Sequence, residues 1–538
     1  MGNSKNTVAK VIIEQLHLMD VKRIYGVVGD TVIGLIDALA DQKDIQFIAV
    51  KHESVAALMA SAEAKLTGKL GVCTATMGPG VTNLLNGLGD AYSDRAPVLA
   101  ITGQAPSVKI GTDYQQYVNQ QELVKPFASY SANLTSPDAI IDVMQKAAQK
   151  SLGQRTVTHL SIPKDFFEEK TTVKPRRLPT LVKSASFIEE ESKNRILDVM
   201  KTARKPMILA GAGARGASEA IEKLAETWGA GILTSLGGKG AFEVSSPNLL
   251  QGIGEGGNPY AKGIFMEADV VLLAGVTWWP EGYVPNDARI IQIDSNFDKI
   301  EKNIPVEIGI AGKTEEVIPK LIEGLKDFDR NDVWMNQRQV AKDKWSAQLE
   351  EEGNSEGTPL HPARIVRAIE RSINPNAILA IDTGDVTVWM NRIMRQKKQR
   401  VLFSGYWRTM GFGLPAAMAA KLIEPNQQVV AVVGDGGLQM TLADLLTAQR
   451  YGIKITVIVL NNESLQMERD KIKAEGGDEV GVGLTNPDFV KIAEACGWKG
   501  LYVESESALE ASLEEALHSD LPALVDIRTA QIFFPETE

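Results

Sequence analysis

Cysteine is almost absent from this 538-residue chain, which has only Cys73 and Cys496, far apart. That excludes a disulfide framework, and a reduced, cytoplasmic compartment is expected. Long apolar runs are missing too. The opening MGNSKNTVAKVII has too short an apolar stretch for a secretory signal, and nothing later reaches the roughly 20 residues a membrane span needs. Basic excess is lacking: 57 Lys and Arg face 68 Asp and Glu, for a formal net charge of -11. No basic stripe offers a footing for nucleic acid, so the acidity reads as a solubility property. Histidine is scarce, limited to His17, His52, His159, His361 and His518, and no short repeat or low-complexity tract is visible.

What is present is alternation. The length suggests about three domains, each able to bury a core. Residues 1–180 carry strand-like RIYGVVG, FIAV, GVCTAT and VLAITG, and end in a charged, proline-bearing linker, FFEEKTTVKPRRLPT. Residues 185–330 carry PMILAGAG, GILTS, VVLLAG and IIQID, and a polar helical stretch, Asp327 to Gly357, leads into a third block at 358–538. Strands alternating with helices predict an α/β protein of three doubly wound parallel sheets rather than one barrel.

The most informative stretch is VVAVVGDGG, Val429 to Gly437, answered by ITVIVLNNES, Ile455 to Ser464. A β-branched apolar run closing in Gly434, Asp435, Gly436 and Gly437 predicts a buried parallel strand, a tight turn and a helix from near Leu438. Backbone N–H groups at such a turn suit phosphate, but Asp435 would repel it unless a hard cation lies between. Magnesium resolves the conflict: Asp435, the side-chain oxygen of Asn462 and a backbone carbonyl near Ser464 supply three oxygens of an octahedral site. An ordinary strand-helix-strand turn is the plainer alternative for either motif alone. The pairing of the two, across a helix from Thr441 to Arg450, is more specific.

That pairing resembles the thiamine diphosphate enzymes, and the resemblance runs from about residue 5 to 530. In VKHESVAALMASAEAKLTGKLGVCTATMGPG, Glu53 alone reads as a helix-start carboxylate. The resemblance implies instead that it bonds the cofactor's aminopyrimidine ring and shares a ring proton. Met410, otherwise a core methionine near a glycine turn, matches the bulky residue beneath the bent cofactor, with Gly384 and Thr409 alongside. DTGDVTVWMNR, PNDARIIQIDSN and NPDFVKIAEACGWKG look most like the pyruvate oxidase and acetolactate synthase branch. The resemblance implies decarboxylation of a small 2-oxo acid, either oxidative, with a flavin acceptor, or carboligating. A silent cofactor-binding paralogue is disfavoured by retention of Glu53, Asp435 and Asn462. Self-association, as an obligate dimer and usually a homotetramer, is also implied, with active sites between subunits.

In LAGAGARG, Gly211, Gly213 and Gly216 have GxGxxG spacing without the acidic residue an NAD site needs some 20 positions on. The resemblance assigns Gly211, Gly213, Arg215, Ser235, Gly238, Gly254, Asn258 and Asp294 to extended FAD; an empty central domain is the alternative. Three departures stand out. GTDYQQY replaces a Phe-Gln-Glu pattern, so that only Gln116 is kept as an acceptor-side catalytic contact and Gln115 is new. Gln466 and Met467 replace a glycine and an aromatic at positions expected to face flavin and substrate. The chain stops at PALVDIRTAQIFFPETE, without the amphipathic extension that gives one such oxidase its membrane contact. The GTDYQQY segment also lacks the histidines that non-oxidative decarboxylases use for proton handling, and His52 reads as a helix-start residue.

Overall fold

A computed structural model describes residues 6–179, 188–276, 279, 282–302, 304–395 and 397–533. It contains three six-stranded, all-parallel sheets flanked by helices, as the alternation predicts. The expected domain limits at 1, 180, 185 and 538 lie outside the described residues; those at 330 and 358 flank the long helix Asp332–Gly353, shorter at both ends than the predicted Asp327 to Gly357.

The first sheet runs Gln46–Ala49, Arg23–Gly26, Gly71–Ala75, Val98–Gln104, Val157–Pro163, Tyr130–Asn133. The third runs Arg400–Leu402, Ile378–Ile381, Val429–Gly434, Thr456–Asn461, Ala523–Arg528, Lys499–Val503. Numbered within each domain, both have the order 2-1-3-4-6-5, so the two outer domains share one topology. The central sheet runs Leu249–Gly252, Gly231–Thr234, Pro206–Ala210, Val270–Ala274, Arg289–Asp294, Ile308–Ala311, which is 3-2-1-4-5-6, the dinucleotide-fold order. In such sheets a crevice opens at the carboxyl ends where the order reverses. In the third domain that point lies between Ile378–Ile381 and Val429–Gly434.

The outer domains meet through one core. The helix Glu53–Thr67 is nearly all buried, and its small residues allow close crossings: a Cβ at Gly87 would sit 2.5 Å from that of Ala57. Ala56 to Ala64 share a hydrophobic cluster with the helix Gly413–Ile423 of the third domain. Polar ties fix the register. Lys65 is held, mostly covered, between Asp90 (2.8 Å) and Asp94 (2.7 Å) and donates to Phe403 O, while the Asp94 carboxylate accepts from the N–H groups of Gly405 and Tyr406. The segment leading to Met410 is thereby pinned to the first domain.

Candidate active site

At the third domain's crevice, Val429–Gly434 passes directly into the helix Asp435–Thr441. The helix starts three residues before the predicted Leu438, because extended Gly434 serves as N-cap and Asp435, Gly436 and Gly437 form the first turn. It also ends at Thr441; a 3₁₀ turn, Leu442–Asp444, precedes Leu445–Arg450, so the predicted single helix from Thr441 to Arg450 is broken. Beside it Gly384, at φ +125°, opens the helix Asp385–Ile393. Both helix N-termini turn a positive dipole end to the crevice. A Cβ at Gly434 or Gly384 would meet nothing within 4 Å, whereas one at Gly437 would lie 2.6 Å from Asp382 Oδ2. The first two glycines border open space and the third is required by packing.

Asp435 is buried, and burial raises its pKa. Its Oδ2 accepts from Glu463 N and Asn486 Nδ2, both at 2.7 Å, and its Oδ1 from Gly436 N at 3.0 Å. A carboxylate has about four lone-pair directions, so one on Oδ1 is left. Asn462 Oδ1 accepts from Ser464 N at 3.1 Å, bringing the Asn462 amide oxygen and the Ser464 backbone together. One carboxylate, one amide oxygen and a backbone carbonyl form a hard-cation donor set of the kind Mg²⁺ takes. Among the described residues no three His, Cys, Asp or Glu side chains gather to hold a metal, so any ion here depends on this mixed set.

Buried atoms without a hydrogen-bond partner at this end of the sheet include Asp382 Oδ2, Asp385 Oδ1, Ser464 Oγ and Gln466 Oε1. Such atoms are costly unless a ligand or water completes them. Asp382 accepts from the N–H groups of Thr383, Gly411 and Phe412, yet burial pushes its pKa up to about 6. Asp385 rises to about 7 through burial and the nearby charges of Asp470 and Asp435. Met410, Leu465 and Leu484 converge over the turn, each placing a carbon 3.1–3.2 Å from a Cβ built on Gly436. Met410 thus lies against the glycine turn. Gln466 is buried with its Nε2 on Asp470 Oδ1 at 2.6 Å, and Met467 is half-buried.

In the first domain Glu53 is 9% exposed at the start of its helix, and its Oε2 accepts from Asn83 Nδ2 at 2.9 Å. His52 is the N-cap, its ring Nδ1 facing Ser54 N, the structural role read from the sequence. Asn86, one turn beyond Asn83, donates to Thr409 Oγ1 at 2.9 Å, so one helix touches both Glu53 and the Met410 segment. Gln116, at φ +63°, brings its carbonyl against Gly78, where a Cβ would be 2.5 Å away. Gln115, the new residue of that segment, is exposed in the single chain. Among the described residues Glu53 makes no bond to Asp435, Asn462 or Ser464.

The central loops have protein partners already. The N–H groups of Gly211 and Gly213 donate to Ala274 O and Gly275 O, that of Ser235 to Ala210 O and that of Gly238 to Ser235 O. Asn258 caps its own helix at Ala261 N and donates to Leu250 O; Gly254, at φ +97°, closes a turn with Gly257. Arg215 donates to Gly237 O and Lys239 O, and Asp294 pairs with Arg95 at 3.3 Å. The two charged members of the expected flavin set are therefore engaged within the protein, and the geometry does not establish a fit for FAD. Lys239, missed in the sequence, is buried against the far end of the helix Asp385–Ile393, donating to Asn391 O at 2.7 Å, and burial lowers its pKa to about 7. Asn486 was missed as well; within TNPDF it looks like a turn residue before the helix Phe489–Ala495.

Sequence models of three domains match the chain: the N-terminal TPP binding domain of thiamine pyrophosphate enzymes at residues 6–123, their central domain at 194–321 and their C-terminal TPP binding domain at 382–527. Bacillus subtilis (strain 168) YdaP is 35% identical over 525 residues, covering 97% of this chain and 91% of that protein. An acetolactate synthase of Mycobacterium bovis is 32% identical over 550 residues, covering 97% and 87%, and a pyruvate oxidase of Lactiplantibacillus plantarum is 28% identical over 527, covering 96% and 87%. Among the described residues no helix is long and apolar enough to cross a membrane. A glycine-bordered crevice with one open carboxylate position, in a sheet that repeats the topology of the Glu53 domain, agrees with the matches across all three domains: the chain belongs to the thiamine pyrophosphate enzyme family.

Proposed function

We propose that this protein decarboxylates a small 2-oxo acid with thiamine diphosphate and Mg²⁺. The observation that carries the reading is the third domain's crevice, where Asp435, Asn462 and Ser464 lie beside two helix N-termini and a row of unpartnered buried atoms. Bound there, the cofactor supplies a thiazolium electron sink for the pair released when CO₂ leaves. Asp435 Oδ1, Asn462 Oδ1 and the Ser464 carbonyl would hold the metal, and the N–H groups following Gly384 and Gly434 would take diphosphate oxygens. Met410 would support the cofactor from below, with Thr409 fixed by Asn86. Glu53 would hold a proton at its carboxyl against a ring nitrogen, its geometry set by Asn83. The reading includes assembly of the site between subunits, in a homotetramer. The exposed Tyr92, Tyr406 and Trp407 near Asn86 and Asp94 suit such a contact.

The finer part of the reading is a pyruvate oxidase-like outcome, with FAD in the central domain accepting electrons. It is supported by the dinucleotide strand order and the glycine spacing, and opposed by the engagement of Arg215 and Asp294. A carboligating outcome is the second reading, favoured by the acetolactate synthase relative. One preparation separates them: purified protein given pyruvate, Mg²⁺ and thiamine diphosphate, followed by CO₂ release and visible absorption. Decarboxylation with a bleaching yellow chromophore supports the oxidase, and decarboxylation with acetolactate and no chromophore supports the ligase. Absence of 2-oxo acid decarboxylation overturns both.

A further inference from the structure

Between the helix Gln466–Ala474 and the helix Phe489–Ala495 runs a strap with two left-handed glycines, Gly476 and Gly481, and Val480 82% exposed. Despite its exposure it is fastened to the segment that follows Asn462. Leu465 N donates to Val482 O at 2.8 Å and Leu484 N to Glu463 O at 2.9 Å, around an antiparallel bridge between Ser464 and Gly483. In such a non-hydrogen-bonded pair the two residues' own N–H and C=O groups point away from the partner strand. The Ser464 carbonyl is thus directed off the strap, on the side where Ser464 N meets Asn462 Oδ1.

The strap ends at Asn486, whose amide is fully committed. Its Nδ2 donates to Asp435 Oδ2 and to Asn461 Oδ1, each at 2.7 Å, and its Oδ1 accepts from Gln439 Nε2 at 2.6 Å. Asn461 in turn donates to Asp526 Oδ1 at 2.9 Å. Turning the Asn486 amide over would set its oxygen against a carboxylate oxygen and an amide oxygen, so the network admits one orientation. We propose that Asn486 is a positioning residue for the cofactor's metal: it holds Asp435 Oδ2, leaves Oδ1 facing the ion, and ties the strap to the metal site. The proposal rests on the reading of Asp435, Asn462 and Ser464 as the metal donors. Loss of Asn486 removes one of the two bonds to Asp435 Oδ2, leaving Glu463 N on that oxygen and Gly436 N on Oδ1, and unties the end of the strap from the metal site. Outer partners of this kind are worth about 10- to 100-fold in metal affinity.

The test uses the full chain, stripped with EDTA and titrated with Mn²⁺ at saturating thiamine diphosphate, the free ion being followed by electron paramagnetic resonance. Wild type is expected to bind and Asp435→Ala to lose binding. Asn486→Ala should bind about 10- to 100-fold more weakly while the metal-free chain melts within a few degrees of wild type. Wild-type affinity within threefold in Asn486→Ala overturns the proposal alone; failure of wild type to bind Mn²⁺ overturns the metal reading beneath it. Should Asn486→Ala not fold, Asn486→Leu keeps the shape of the side chain and removes the same donated bonds. Weaker Mn²⁺ binding in that variant supports the proposal, and unchanged binding contradicts it.

Discussion

Replacing Glu53 by glutamine separates chemistry from folding. The first residue of its helix contributes about 0.3–1 kcal/mol through the dipole when charged. Making the Asn83 bond neutral costs about 1 kcal/mol more. A loss of about 1–2 kcal/mol shifts the melting of a domain this size by only a few degrees, so Glu53→Gln is expected to fold. The proton-sharing role weighs more, because an amide cannot pass a proton to a ring nitrogen and removing a positioned acid or base costs about 10² or more in rate. That loss corresponds to about 2.7 kcal/mol of barrier. Stopped assays of CO₂ release from pyruvate at saturating thiamine diphosphate and Mg²⁺, paired with circular-dichroism melting, read both terms. A variant that melts like wild type and turns over within tenfold of it would show that Glu53 does not handle the proton.

Asp435→Ala should weaken thiamine diphosphate binding, and EDTA dialysis should release cofactor from wild type; calorimetric affinity that ignores divalent metal refutes the donor assignment. Gln466 keeps a buried, unpartnered Oε1 near the glycine turn, worth about 1–3 kcal/mol to a ligand that donates to it. A 2-oxo acid with a hydroxyl side group should therefore be used at least as well as pyruvate, and Gln466→Ala should lower that preference about tenfold in kcat/KM. Unchanged ratios in the variant would show that the amide faces no substrate. His159 is buried between Thr102 and Ser131, and burial lowers its pKa from 6.5 to about 3. The unfolded chain then binds this proton first, so stability present above pH 6.5 is lost as pH falls toward 3, by at most about 1.4 kcal/mol per unit. His159→Gln should flatten that part of the acid-unfolding curve; an unchanged slope would mean the ring stays charged when folded.

The crevice was legible because its signals are local. An apolar β-branched run followed by Gly-Asp-Gly-Gly states a strand, a turn and a helix start within nine residues, and the Asn pair ends the very next strand of the sheet. Asn486 was not legible, since its bond to Asp435 spans 51 positions and nothing in TNPDF marks it as more than a turn. The flavin set shows the opposite hazard. Glycine spacing describes a loop's backbone, but Arg95 reaches Asp294 across 199 positions and claims the carboxylate the spacing left open. Gln115 and Gln466 look alike as departures, yet one is exposed on a loop and the other is covered at a helix start beside Asp470. The shared order of the outer sheets was hidden as well, because an edge strand such as Tyr130–Asn133, YSAN, carries little apolar pattern.

The central claim is that this chain binds thiamine diphosphate through a divalent ion at Asp435. Isothermal titration calorimetry of the metal-stripped protein with thiamine diphosphate, run with Mg²⁺ and again with EDTA, tests it directly. Binding that is saturable with Mg²⁺ and lost with EDTA is the expected result. Binding of equal strength in both runs, or in neither, would contradict the claim.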